Sequence, residues 1–166
     1  MANPLCEVLV SEERIAPLSE NVPEETGAIV DFWGVVRRTE DARDITGIAY
    51  EAHRPMAEHQ LRAIAEQALR EFNLTAVRVQ HRIGFVAEGE ASLLVRVGSR
   101  HRPAAFCASA WIVEELKKRA PIWKHPAFNE ATAGQARDHD VKATPGRVAE
   151  AATRQDRDRE AVSIER

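Results

Sequence analysis

Val77-Arg-Val-Gln-His-Arg-Ile83 places Val77, Val79, His81 and Ile83 on one side of an extended chain and Arg78, Gln80 and Arg82 on the other. That period of two predicts a half-buried strand. Leu93, Val95 and Val97 repeat it with Arg96 opposed. The connection Gly84-Phe-Val-Ala-Glu-Gly-Glu90 reads as a turn region. Upstream, Leu61, Ile64, Ala65, Ala68 and Leu69 follow the spacing of one buried helical stripe, with Glu58, Arg62, Glu66 and Arg70 on the opposite side. Pro55 opens this helix and Asn73 stops it. Before it, Ile45 to Ala52 forms a strand that delivers Tyr50, Glu51 and His53 near its end. Gly27-Ala-Ile-Val-Asp-Phe-Trp33 is a second β-branched and aromatic strand. Gly34 breaks it, and Val35-Val36 leads into the charged loop Arg37 to Asp41. Leu5 to Val10 supplies an edge strand, followed by a short helix or loop near Pro17-Leu-Ser-Glu20.

Downstream, a second helix begins after Arg102. Pro103 suits its first turn, where a missing N–H costs nothing. Phe106, Ala110, Val113 and Leu116 form its expected seam, and Lys117-Lys-Arg119 complement the dipole in its last turn. Pro121 ends it. From Asn129 onward large apolar residues almost vanish, so residues 129–166 are expected to form a polar, flexible tail behind a domain spanning 1–128. Interspersed strands and helices give an α+β or α/β domain.

Composition narrows the function. A chain of 166 residues is one domain and buries roughly 70% of its unfolded surface. Lys+Arg 23 against Asp+Glu 26 gives a formal charge of -3, against a generally basic nucleic-acid binder. No window is apolar enough to span a bilayer, and the start lacks the features of a signal peptide. Cys6 and Cys107 form no CxxC pair, so a reducing cytoplasm is the expected setting. No Gly-x-Gly occurs, and no Cys/His cluster has zinc spacing. His81, on an apolar strand face, reads as a buried imidazole satisfied by a hydrogen bond.

Two basic clusters remain. Arg100-His-Arg102 precedes a helix, whose free N–H groups and positive dipole end attract phosphate. A solvated basic turn is the plainer alternative. Lys117 and Lys124 bracket Arg119-Ala-Pro-Ile-Trp123. Dipole capping with a Trp at the core edge would explain that segment. Crowded cations favour the neutral amine, which makes both lysines candidates for proton transfer or nucleophilic work. The stretch Arg100 to Lys124 holds six Lys/Arg and two Glu, a net of +4 that leaves -7 for the rest. That contrast suggests a cationic pocket for a small phosphorylated substrate.

The order of six blocks resembles the catalytic (large) subunit family of molybdopterin synthase. They are Phe32-Trp-Gly-Val-Val-Arg37, Tyr50-Glu51 with Pro55-Met-Ala57, His81-Arg-Ile-Gly84, Gly89-Glu90, His101-Arg102 with Ala105-Phe106, and Leu116-Lys117 with Ala120-Pro-Ile-Trp-Lys124. The resemblance runs from about Gly27 to Lys124. It implies an α/β hammerhead-like α+β domain with an additional antiparallel β subdomain. It implies a sulfurtransferase that converts cyclic pyranopterin monophosphate (precursor Z) into the molybdopterin dithiolene in molybdenum cofactor biosynthesis. Sulfur would come from the C-terminal Gly-Gly thiocarboxylate of a small ubiquitin-like carrier subunit. The large subunits would pair as a homodimer, the core of a heterotetramer. Neither a metal nor an organic cofactor is implied, nor a nucleic acid or a membrane.

By position, the resemblance makes Lys117 and Lys124 catalytic and gives Arg37, His101 and Arg102 the anionic end of the substrate. Pro121, Ile122 and Trp123 could wall the channel for the carrier's tail. The family's Glu two residues beyond the second lysine is replaced by Pro126, and no Trp follows Trp123. A degenerate, non-catalytic homologue that binds the carrier or a phosphorylated ligand is therefore the alternative.

Overall fold

A computed structural model describes residues 4–19 and 21–129. The expected tail from 130 onward lies outside the described residues. The elements run β1 (Leu5–Ser11), β2 (Ala28–Val35), β3 (Thr39–Glu40), β4 (Arg43–Ala52), α1 (Arg54–Glu71), β5 (Ala76–Arg82), β6 (Gly84–Ala87), β7 (Ala91–Ser99), α2 (Arg102–Arg119) and β8 (Ile122–Phe128). The described residues thus form a mixed α+β domain.

Four strands make the main sheet in the order β1-β5-β7-β2, with β1 parallel to β5 and the other pairs antiparallel. Alternation along β5 sends Val77, Val79 and His81 to the face that carries both helices. Their register partners Val97, Val95 and Leu93 on β7 join them there. Helix α1 covers this face with Ala57, Leu61, Ile64, Ala65, Ala68 and Leu69. Full burial of a side chain such as Leu61 or Ile64 contributes about 1.5–3 kcal/mol. Asn73, at φ 50, takes the left-handed turn that ends this helix.

The other face of the sheet carries Arg78 and Arg96, which are cross-strand neighbours and both buried. They hold down the segment before β2. Arg96 grips Asp31 through two bonds of 2.7 and 2.6 Å and donates to the Ser19 carbonyl at 2.6 Å. Arg78 donates to the Asn21 carbonyl at 2.8 Å and pairs with Glu7 at 2.9 Å. Residues 17–19 form no helix, so the loop alternative is the one observed there.

The second sheet centres on β4, which pairs with β3, β6 and β8, all antiparallel. Val36, Ile45, Ile48, Tyr50 and Val86 fill its small core, and Ile122 touches both cores. This is the additional β subdomain.

Three local expectations are corrected. Gly34 does not break β2, which continues to Val35 through a register shift against β7. Gly84 to Ala87 is a strand rather than part of a turn, and the turn is confined to the residues around Gly89, at φ 79. In α2 the buried stripe is Ala105, Ala108, Ser109, Ile112, Val113 and Leu116. Phe106 is 63% exposed and Ala110 is also exposed. The first half of the buried stripe is small (Ala105, Ala108 and Ser109), and Phe106, beside Ala105, falls on the solvent side of the helix.

Candidate functional site

A cavity of about 760 Å³ opens where the two sheets meet the end of α2. Helical spacing puts Val113, Leu116 and Lys117 on its wall, because positions three and four apart share a face. Ala120 closes that helix. Strand alternation along β8 then presents Ile122 and Lys124 and turns Trp123 away. Phe32 to Val35 and Arg37 enter from the end of β2, Tyr50 from β4, His81 from β5, and Ser92 and Leu93 from β7.

Lys117, Lys124 and Arg37 therefore reach one cavity from three separate elements. Register explains Lys124: it lies directly across from Tyr50, whose other flank is Gly84. Lys117 Nζ is 3.5 Å from Glu114, and Lys124 Nζ is 4.0 Å from Glu40. Glu40 also accepts a hydrogen bond from Arg37 at 3.1 Å, so one carboxylate ties Arg37 to Lys124. All three cations remain largely exposed, with side chains 77%, 70% and 58% accessible for Arg37, Lys117 and Lys124. Each keeps an acidic partner while its side chain stays accessible from the cavity.

The floor is less polar. The Tyr50 ring meets the His81 ring edge-on, with centroids 5.4 Å apart. Burial raises the Tyr50 phenol above its ordinary pKa, partly offset by its bond with Ser92, so it remains a neutral hydroxyl. Ser92 itself donates to the Gly34 carbonyl at 3.3 Å. Burial lowers the His81 pKa below 6.5, against the opposing effect of a 2.9 Å bond to the Arg82 carbonyl. His81 is thus satisfied at one ring nitrogen, Nδ1.

The remaining expected site residues lie elsewhere. His101 and Arg102 are exposed at the start of α2, whereas Lys117 is in its last turn. Fifteen residues of helical rise separate Arg102 from Lys117 by about 22 Å. Within one chain they do not share the cavity with Arg37. Their neighbour Arg100 pairs with Glu25 at 3.7 Å. Of Pro121, Ile122 and Trp123, Ile122 alone lines the cavity; Trp123 is 57% exposed on the outer face of β8. Tyr50, His81, Ser92 and Glu40 had no assigned role from sequence. The signal for His81 was a polar residue in the apolar register of β5. Among the described residues, no group of three or more His, Cys, Asp or Glu side chains could hold a metal ion. No described helix is long and apolar enough to cross a membrane.

The fold and cavity define an α+β protein with a pocket between two sheets lined by Arg37, Lys117 and Lys124. Residues 9–119 match a family model described as MoaE protein. The molybdopterin synthase catalytic subunit of Pyrococcus abyssi is 41% identical over 119 residues, covering 72% of this chain and 78% of that one. That of Vibrio cholerae is 39% identical over 120 residues, covering 72% and 80%. The crystal structure of molybdopterin synthase from Staphylococcus aureus superposes with a TM-score of 0.65 at 29% identity, covering 75% of this chain and 91% of that one. The chain belongs to the MoaE family.

Proposed function

We propose that this chain is the catalytic subunit of a molybdopterin synthase, a sulfurtransferase acting on cyclic pyranopterin monophosphate. The observation that carries this reading is the convergence of Lys117 and Lys124, from different elements, on one cavity together with Arg37. The donor is the C-terminal Gly-Gly thiocarboxylate of a small carrier subunit. Its sulfur attacks the pterin side chain, and negative charge develops at the leaving oxygen and, when the acyl carbon becomes tetrahedral, on the acyl oxygen. Two ammonium groups beside that carbon stabilise the charge and supply protons. Arg37 holds the phosphate in a two-pronged contact. Ile122 lines the path of the carrier's tail. Neutral Tyr50 leaves the floor of the cavity uncharged.

His101 and Arg102 lie too far from Lys117 to serve the same substrate in one chain. On the dimeric reading, His101 and Arg102 of a second copy complete the phosphate pocket. The helix start then faces a neighbour's cavity, where its N–H groups and dipole favour an anion.

Pro126 motivates the non-catalytic alternative, since the family's Glu is absent there. Pro126 sits within β8 opposite Ile48, two residues beyond Lys124. Strand geometry is kept, and with it the placement of Lys124.

The test is reconstitution with thiocarboxylated carrier and cyclic pyranopterin monophosphate, with the product followed by mass spectrometry. Addition of two sulfurs to the pterin is the expected outcome. Carrier binding with no sulfur gained by the pterin would establish the non-catalytic alternative instead.

A further inference from the structure

A thiocarboxylate that has bonded to the pterin is a thioester, with the carrier still attached through its acyl carbon. The sulfur stays on the pterin only when water cleaves that acyl bond. Water attack needs a base. Among the described residues no carboxylate lines the cavity; the neighbouring Glu40 is engaged by Arg37 at 3.1 Å and Lys124 at 4.0 Å, and Arg37, Lys117 and Lys124 carry no free basic lone pair while charged. His81 is the one lining side chain with a basic lone pair.

Its geometry fits the task. A carbonyl can only accept, so the 2.9 Å bond to the Arg82 carbonyl places the ring proton on Nδ1 and the lone pair on Nε2. Nε2 has no hydrogen-bond partner among the described residues. The strand register puts the ring on the helix-bearing face beside Leu93, and Tyr50 fixes its tilt edge-on. Tyr50 in turn lies directly across from Lys124.

We propose that His81 is the general base that hydrolyses the carrier–pterin thioester, an inference that rests on the sulfur-transfer reading above. Nε2 takes a proton from water as the oxygen bonds to the acyl carbon. The tetrahedral oxyanion is met by Lys117 and Lys124. The carbon–sulfur bond then breaks, and sulfur leaves with the electron pair. The proton on Nε2 passes to that sulfur, and the carrier departs with a carboxyl terminus. One water is consumed, and no oxidant or reductant is needed. Burial of His81 keeps the imidazole unprotonated at neutral pH, as a base requires.

The experiment is single-turnover sulfur transfer by His81→Asn with thiocarboxylated carrier and cyclic pyranopterin monophosphate, with intact masses recorded over time. Asparagine can still donate to the Arg82 carbonyl and has no lone pair at the Nε2 position. Sulfur attack should proceed, the covalent carrier–pterin adduct should accumulate, and carrier release should slow by about 10² or more. Hydroxylamine, which needs no base, should cleave the adduct equally well in variant and wild type. Release at the wild-type rate, or slowing of both steps with no adduct, overturns the role of His81 alone. A wild type that never joins carrier to pterin overturns the sulfur-transfer reading and this inference with it. If His81→Asn fails to fold, nitrogen-15 spectra of the wild type decide: a lone pair on Nε2 at neutral pH is expected, and a proton there overturns the proposal.

Discussion

Replacing Lys117 or Lys124 by Ala separates chemistry from architecture. Both ammonium groups are more than half exposed, and their acidic neighbours lie at 3.5 Å (Glu114) and 4.0 Å (Glu40). Pairs of that kind contribute about 0–1 kcal/mol. The melting temperature of either variant should therefore fall by no more than about 4 °C. The catalytic loss should be larger. A positive charge about 4 Å from a developing oxyanion is worth roughly 1 kcal/mol in water and about 4 kcal/mol near an effective dielectric of 20. A carrier tail and a pterin filling the cavity exclude water and move the site toward the second figure. A value near 3 kcal/mol corresponds to about a 10²-fold slower single turnover. Lys118→Ala is the control. Lys118 lies beside Lys117 in the helix, pairs with Glu115 at 3.3 Å and does not line the cavity. It should keep the wild-type rate. Thermal melts and rapid-quench sulfur transfer at saturating carrier decide the matter. Rates within threefold of wild type for both cavity variants would refute the reasoning. So would a rate loss matched by Lys118→Ala.

Other perturbations probe the frame that holds these groups. Asp31→Ala leaves the buried Arg96 guanidinium without its two-pronged carboxylate, and urea unfolding should show a loss of about 2–3 kcal/mol. Asp31→Leu combined with Arg96→Met should recover much of it, since replacing a buried pair costs less than halving it. Gly47→Ala sets a Cβ 2.5 Å from both the Phe85 ring and the Val86 carbonyl oxygen. The ring can swing away but the carbonyl belongs to β6, so the variant should lose about 1–3 kcal/mol in the same assay. Burial holds His81 below its unfolded pKa of 6.5, so the unfolded chain binds that proton more readily. Its contribution is complete above pH 6.5 and is lost as pH falls toward the lower folded value. Melts from pH 7.5 to 5 should show a decline that His81→Asn flattens.

Much of the main sheet was legible because its signals are local. Val77-Val79 and Leu93-Val95-Val97 alternate strictly, and α1 has five large or small apolar residues at one helical spacing. The second sheet was harder to read. Strand β6 is only Gly84–Ala87, bounded by glycines, so composition says turn while pairing with Gly47–Tyr50 says strand. Strand β8 contains Pro126 and follows Pro121, and its existence depends on β4 being there to pair with. No window of eight residues carries that information. In α2 the large side chain at Phe106 suggested a buried position, yet the sheet admits Ala105 and Ala108 and leaves Phe106 in solvent. Side-chain size alone does not say which face of a helix is buried.

The charge excess of Arg100 to Lys124 suggested one cationic pocket. The fold divides that window, because 18 residues of helix lie within it and its basic residues fall at the two ends. A run of charge in sequence becomes a pocket only where the chain returns on itself. The return here is β8, which antiparallel pairing with β4 brings back past Tyr50. That pairing carries Lys124 to the same wall as Lys117, and it also fixes which strand residues face the cavity. A one-residue slip of β8 would present Trp123 and His125 and turn Lys124 outward. The position of the second lysine thus depends on the register of a strand that local sequence hardly announces.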